Sequence, residues 1–130
     1  METVEVSVRY IVNDVKTSAA FYKEYLGFQV DIDPTSGFAA LSKGNVKLFL
    51  NQPGAGGAGQ KMPDGQSPEP GGWNRIQISV GDLRALYEDL KVKGVEFRND
   101  IIEGVGGKQV LLKDRSGNLV ELFQPDQNKK

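Results

Sequence analysis

The sequence predicts an α+β protein of two βαβββ modules, whose mixed sheets form cups with the helices on the outside. The first observation behind this prediction is a strand–helix–strand pattern that occurs twice, over residues 4–30 and 74–97. The second is that each occurrence is followed by two further segments with the alternation and composition of strands. A length of 130 residues suits a single domain of this size.

Each of the two predicted helices begins after an aspartate and ends at a glycine. Asp14 and Asp82 are positioned to accept hydrogen bonds from the first turn. Gly27 and Gly94 supply the left-handed residue that commonly follows a helix. Apolar residues recur within each helix at the spacing of one buried face. They are Val15, Phe21, Tyr22, Tyr25 and Leu26 in the first helix, and Leu83, Leu86, Tyr87 and Leu90 in the second.

The later strands of the modules are predicted over residues 37–42 and 46–51, and over 109–113 and 119–124, with tight turns at 43–45 and 114–118. Residues 51–73 are rich in Gly and Pro, which predicts a linker or a long irregular loop. The PGAGGAG run in this segment does not open onto a helix, so a phosphate-binding loop is disfavoured. The predicted organisation is therefore module 1 over 1–51, linker over 52–73 and module 2 over 74–126.

The first strand of each module alternates between an apolar and a polar side. We expect the apolar sides to pack under the helices. The polar sides are explained by a solvated sheet face, or by modules that curl toward each other and place both polar rows in a shared cleft. The apolar sides consist of Val4, Val6, Val8 and Tyr10, and of Ile76, Ile78 and Val80; the polar sides consist of Glu5, Ser7 and Arg9, and of Arg75, Gln77 and Ser79.

The composition excludes several classes of function. The chain has no histidine, the commonest general base near neutral pH, and no cysteine for disulfides or thiolate metal sites. Sixteen basic and seventeen acidic residues, with no basic stripe, argue against nucleic acid as a partner. No apolar run approaches the roughly 20 residues of a membrane-spanning helix. Without a signal region at the start, we expect a cytoplasmic location and no membrane association.

Four stretches of the sequence resemble the vicinal oxygen chelate superfamily, which includes glyoxalases, bleomycin resistance proteins and dioxygenases. They are VRYIVNDVKTSAAFYKEYLGFQV, PGGWNRI, IQISVGDLRALYEDLKVKGVEF and LLKDRSGNLVELFQP. The resemblance covers essentially the whole chain. It implies paired βαβββ modules that surround a ligand site, and it supports a homodimer.

The resemblance also implies a metal site with four ligands, one from the first and one from the last strand of each module. In this sequence the first-strand positions are Ser7 and Arg75, and the last-strand positions are Glu121 and either Leu48 or Phe49. Of these positions, Glu121 alone carries a side chain of the family's ligand types, whereas a transition-metal site needs three or four such ligands. We therefore expect no metal and no cofactor, which disfavours metal-dependent glyoxalase and dioxygenase activity and points to the metal-free members of the family.

Two functions in which the partner is a small organic ligand remain, beside a third interpretation as a purely structural or protein-binding module, which predicts no cavity. The first is a metal-independent binding protein that sequesters an aromatic natural product or an antibiotic, as in antibiotic resistance. The alternative is a metal-independent isomerase or lyase, in which Glu121 is the base and Arg75 steadies an oxyanion. Trp73 could also be a core anchor, and Arg75 with Glu121 a structural ion pair. The predicted ligand-binding residues are Ser7, Arg9, Phe38, Leu48, Trp73, Arg75, Gln77, Gln109, Glu121 and Phe123.

Overall fold

The computed structural model describes residues 5–126. The chain divides between Gly71 and Gly72 into two compact units, and each unit contains one mixed β-sheet. The first sheet has four strands and the second has five. The predicted α+β class is confirmed. No helix in the described part of the chain is long and apolar enough to cross a membrane.

The first unit has the predicted βαβββ order. Its strands are β1 (Ser7–Ile11), β2 (Gln29–Ile32), β3 (Phe38–Lys43) and β4 (Val46–Asn51), and its helices are α1 (Val15–Leu26) and the single turn α2 (Gly56–Gly59). The strand order is β1-β4-β3-β2. β1 is parallel to β4, and the other pairs are antiparallel. The first strand of the unit therefore lies beside its last strand.

The second unit repeats this arrangement with one additional strand. It contains β5 (Ile76–Ser79), α3 (Leu83–Val92), β6 (Glu96–Phe97), β7 (Ile102–Gly104), β8 (Gly107–Lys113) and β9 (Leu119–Pro125). β5 is parallel to β9, and both β6 and β7 pair with β8. Between β6 and β7, the side chain of Asn99 accepts a hydrogen bond from the Leu111 amide at 3.0 Å. β6 and β7 thus act as one strand that is interrupted at residues 98–101.

The predicted helix ends are confirmed. Asp14 accepts from the Thr17 amide at 2.8 Å, and Asp82 accepts from the Ala85 amide at 3.1 Å. Hydrogen bonds from Thr17, first from its side chain and then from its backbone, lower the pKa of Asp14. Gly27 and Gly94 follow their helices with φ of 72° and 89°, in the left-handed region.

The core of each unit lies between its sheet and its long helix. In the first unit, Tyr22 of α1 makes edge contacts with Tyr10 and Phe28, at ring distances of 6.3 and 5.5 Å. In the second, Tyr87 of α3 contacts Phe97 at 4.7 Å. We call the opposite side of each sheet its helix-free face. The buried side chains on the helix sides of the strands are Tyr10, Ala39, Leu41, Leu48 and Leu50, and Val110, Leu112, Val120 and Leu122.

The apolar rows of the first strands pack less completely than predicted. Val6 is 74% exposed because β1 begins one residue later, at an end of the sheet where Val46 is also exposed. Ile76, Ile78 and Val80 are half-buried. Val4 lies outside the described residues.

The Gly/Pro-rich segment begins as a packed loop. The Gln52 amide donates to the Gly37 carbonyl at 2.9 Å. A Cβ atom at Gly37 would overlap Ala55, so this loop lies directly against the turn before β3. Its first residues are therefore part of the first unit.

Candidate functional site

Two glutamine side chains establish how the two halves correspond. The Gln52 side chain accepts from the Val15 amide at 2.9 Å, and the Gln124 side chain accepts from the Leu83 amide at 2.8 Å. In both units, a glutamine within the last strand or directly after it thus binds the first residue of the long helix. Each glutamine stands in the same tetrapeptide pattern, LNQP at 50–53 and LFQP at 122–125.

This correspondence decides whether Leu48 or Phe49 is the equivalent of Glu121 in the first unit. Counting back three residues from each glutamine places Phe49 opposite Glu121 in the repeat, and Leu48 opposite Val120. Leu48 and Val120 both lie on the helix side of their sheets with no exposed surface. Leu48 is therefore a core residue of the first unit, which does not fit its prediction as a ligand-binding residue. Phe49, on the opposite side of β4, takes its place among the candidates.

The helix-free face of the second unit carries a cluster of Arg75, Gln77 and Glu121. Gln77 and Glu121 are direct neighbours in the β5–β9 register. Arg75 donates to Glu121 Oε1 from Nε at 3.0 Å and from Nη2 at 2.9 Å, while Gln77 Nε2 donates to Oε2 at 2.7 Å. The side chain of Glu121 is 8% exposed. Both carboxylate oxygens are thus engaged by protein donors, in an arrangement that fixes Arg75 and Gln77.

Trp73 lies at the start of the second unit and is 60% exposed. The guanidinium of Arg98 lies over its ring, 4.1 Å from the centroid, which is close for a cation–π contact. The Trp73 carbonyl accepts from Arg75 Nη1 at 3.3 Å. This exposure does not fit a core anchor. It leaves a large aromatic surface beside the Arg75 cluster.

The remaining predicted residues of the second unit share this helix-free face. Gln109 and Phe123 are register neighbours, and both are half-buried. Leu111 is paired with Glu121 on the other side of β9, and Ile102 with Gln109. The face therefore combines apolar side chains with two amides.

The helix-free face of the first unit carries a different cluster, formed by Arg9, Phe38, Phe49 and Asn51. Arg9 Nη1 donates to Asn51 Oδ1 at 2.6 Å, and its guanidinium lies 5.3 Å from the centroid of Phe49. Phe38 contacts Phe49 at 5.8 Å. Ser7 lies in the next row beside Lys47, whose ammonium binds Glu5 at 2.7 Å. The pair with Glu5 raises the pKa of Lys47.

Sequence reasoning did not include Phe49 and Asn51 in the ligand-binding set. The repeated L-x-Q-P pattern could have identified both, because it gives Asn51 the position of Phe123 and Phe49 that of Glu121. Phe49 and Asn51 lie on the same side of β4 as Arg9, because Phe49 is the register partner of Arg9 and Asn51 is two residues further along the strand.

The side chains at the four positions of the family's metal pattern do not form a ligand set. They are a hydroxyl (Ser7), an aromatic ring (Phe49), a guanidinium (Arg75) and one carboxylate (Glu121) that is bound to that guanidinium. Within residues 5–126, no group of three or more His, Cys, Asp or Glu residues could hold a metal ion. Transition-metal sites need three or four convergent N, O or S ligands, which these residues do not supply.

Comparison with known proteins gives consistent results. The family model described as "Glyoxalase/Bleomycin resistance protein/Dioxygenase superfamily" matches residues 6–122. Human mitochondrial methylmalonyl-CoA epimerase is 34% identical over 129 residues, which covers 90% of this chain and 71% of the epimerase. A superfamily member from Sphaerobacter thermophilus has a TM-score of 0.74 at 24% identity, covering 95% of this chain and 98% of that one. The bleomycin-binding protein of Streptomyces verticillus, solved with copper(II)-bleomycin, has a TM-score of 0.62 at 18% identity, covering 97% and 99%. At these identities the two structures show the shared fold.

Proposed function

Because this chain belongs to the glyoxalase/bleomycin resistance protein/dioxygenase superfamily, we propose that it is a metal-independent protein that binds a small organic molecule. The observation that carries the proposal is the environment of Glu121. This is the one residue of the family's metal pattern that could ligate a metal, and both of its oxygens accept hydrogen bonds from Arg75 and Gln77. A cation at this carboxylate would have to displace a guanidinium.

The ligand we propose is an aromatic natural product or an antibiotic. Small-molecule sites combine aromatic surface with a few fixed polar groups. The helix-free faces offer Phe38 and Phe49 in the first unit, and Trp73 and Phe123 in the second. The structural neighbour that holds copper(II)-bleomycin supports this proposal, since it is an example of antibiotic binding by the same fold.

Metal analysis and a ligand screen test the proposal together. We expect the purified protein to contain no stoichiometric zinc, nickel, manganese or iron by elemental analysis, and chelators to leave its melting temperature unchanged. A screen of aromatic antibiotics and natural products should identify compounds that raise the melting temperature. One tightly bound transition metal per chain, or a screen without a binder, would contradict the proposal.

Trp73 provides the residue-level test. Trp73→Ala should weaken a bound aromatic compound by about 1–3 kcal/mol because a stacking surface is lost. Trp73→Phe keeps an aromatic ring and is the matched control. Because Trp73 is 60% exposed, neither variant should lower the melting temperature by more than a few degrees. A Trp73→Ala protein that melts much earlier yet binds normally would return Trp73 to a structural role.

A second candidate function is that of a metal-independent isomerase, which the 34% identity to methylmalonyl-CoA epimerase favours. In that case Glu121 is the base and Arg75 stabilises the developing oxyanion. The two functions are separated by incubation with methylmalonyl-CoA in D2O, where mass spectrometry follows exchange of the α-hydrogen. Exchange that Glu121→Gln abolishes would establish the enzyme, and bound ligand without exchange would support the binding protein.

We also propose that the chain forms a homodimer. Several large apolar side chains are exposed, among them Ile32, Ile102 and Val105, and a symmetric partner can cover such surface. Sedimentation velocity at micromolar concentration should give the mass of two chains. A monomer under these conditions would contradict the proposal.

A further inference from the structure

We propose that the ligand is an organic carboxylate with an aromatic or other apolar body, and that Arg9 binds its carboxylate group. This inference rests on the proposed binding function and names the chemical class of the ligand. It starts from a difference between two arginines at the first strands of the units, Arg9 in the first unit and Arg75 in the second.

The two arginines differ in how their charge is balanced. Arg75 forms an ion pair with Glu121 at 2.9 Å. Lys47 and Lys113, which lie on the same sides of their sheets, pair with Glu5 and Glu96. Arg9 takes part in none of the ion pairs between the described residues. Its guanidinium instead binds the neutral amide of Asn51 and lies over the ring of Phe49.

The repeat explains why Arg9 has no carboxylate partner among the described residues. Arg9 stands five residues before the helix cap Asp14, as Gln77 stands five residues before Asp82, and both lie beside the last strand of their unit. Gln77 faces Glu121 and donates to its carboxylate at 2.7 Å. Arg9 faces Phe49 in the equivalent position. The second unit thus supplies a carboxylate of its own, whereas in the first unit that acceptor is replaced by an aromatic ring.

Asn51 holds the Arg9 guanidinium in a defined orientation. Asn51 is 3% exposed, and its 2.6 Å hydrogen bond engages one of the five N–H donors that an arginine carries. A guanidinium whose planar fork is fixed in this way is suited to bidentate binding of a carboxylate. The tilted pair of Phe38 and Phe49 offers apolar surface beside it for the body of the ligand.

The test compares aryl carboxylates with their neutral amides. The probes are phenylacetate and cinnamate against phenylacetamide and cinnamamide, titrated into the intact protein and followed by ¹H–¹⁵N NMR with the Arg9 Nε–H resonance included. We expect each acid to bind at least tenfold more tightly than its amide and to shift the Arg9 resonance. Arg9→Gln should remove this preference, so that each acid and its amide bind with similar affinity.

One isosteric variant makes the test independent of any loss of structure in Arg9→Gln. Asn51→Asp places a carboxylate where Arg9 already donates, so it should pair with Arg9 and weaken acid binding at least tenfold. Arg84→Gln, an exposed arginine on α3 that pairs with Glu88, is the matched control and should bind like the wild type.

The outcomes distinguish this inference from the proposed function. Equal binding of acids and amides to the wild type, or undiminished acid binding by both Arg9→Gln and Asn51→Asp, would overturn the assignment of Arg9 and the ligand class. Neutral aromatic compounds that still bind in that case would leave the proposed function intact. If no aromatic compound of either kind binds, the proposed function fails together with the inference.

Discussion

Removal of either member of the Arg75–Glu121 ion pair should destabilise the protein, and the two losses should be unequal. The side chain of Glu121 is 8% exposed, whereas that of Arg75 is 28% exposed. A partner that is left alone in a buried position keeps its desolvation cost, while a more exposed one can turn toward water. Arg75→Leu should therefore cost more free energy of unfolding than Glu121→Leu.

The magnitudes follow from the hydrogen bonds that each variant removes. In Arg75→Leu, the Glu121 carboxylate loses two charge-assisted bonds and keeps the one from Gln77, so we expect a loss of about 3–4 kcal/mol. In Glu121→Leu, Arg75 can be hydrated, and a loss of about 1–2 kcal/mol is expected. The double variant should lose roughly 0–1 kcal/mol, because no charge is left unpaired.

Urea unfolding measures these differences in a double-mutant cycle. The single tryptophan, Trp73, lies in the second unit, so its fluorescence reports the part of the molecule that contains the ion pair. Circular dichroism at 222 nm reports both long helices. Arg84→Leu is the control, since the Arg84–Glu88 pair is 67% and 59% exposed and should contribute less than about 0.5 kcal/mol. Equal and small losses in both single variants would refute the reasoning, because the pair would then behave like a surface pair.

Three further predictions concern the helices. The hydroxyl of Ser18 is buried and makes no hydrogen bond within the described residues, so Ser18→Ala should raise the free energy of unfolding by about 1–2 kcal/mol in urea; a loss would show that the hydroxyl has a partner. Gln52→Ala and Gln124→Ala should each lower the free energy of unfolding by about 1 kcal/mol, because a helix amide loses its acceptor. Gln52→Glu and Gln124→Glu keep an acceptor oxygen and should lower it less. The pKa of Asp14 is lowered in the folded state, so its contribution to stability is complete above the ordinary range of an aspartate carboxyl and is lost as pH falls through the lowered pKa. Thermal melts of Asp14→Asn between pH 2 and 7 should show a weaker pH dependence than the wild type, and an unchanged profile would contradict the assignment.

The features that the sequence predicted well are those set by local chemistry. Asp14 and Asp82 cap helices because a carboxylate beside the first turn satisfies amides that the helix itself leaves unpaired. Gly27 and Gly94 end the helices because glycine reaches positive φ without strain. The apolar faces of α1 and α3 followed from helical spacing. In each case the signal lies within a few residues of the feature.

The features that the sequence did not predict depend on residues that are distant in the chain. Aligning the two Gly-Asn turns matches Glu121 with Leu48, yet the turn from Arg115 to Gly117 is one residue longer than the turn of Gly44 and Asn45. That residue shifts the register, and a shift of one residue moves a side chain to the other face of the sheet. The pairing of Arg9 with Asn51 likewise joins β1 to β4 across 42 residues.

The position of the two glutamines has a consequence for how the chain is made. During synthesis, the helix α1 is complete at residue 26, but the acceptor for its first amide is the Gln52 side chain, which emerges 37 residues after Val15. In the second unit, the acceptor for the Leu83 amide is the Gln124 side chain, which is synthesised 41 residues later. Each unit therefore contains its own final contact. The contact of the first unit can therefore form while the second unit is still being translated, and any truncation before residue 124 removes the contact of the second.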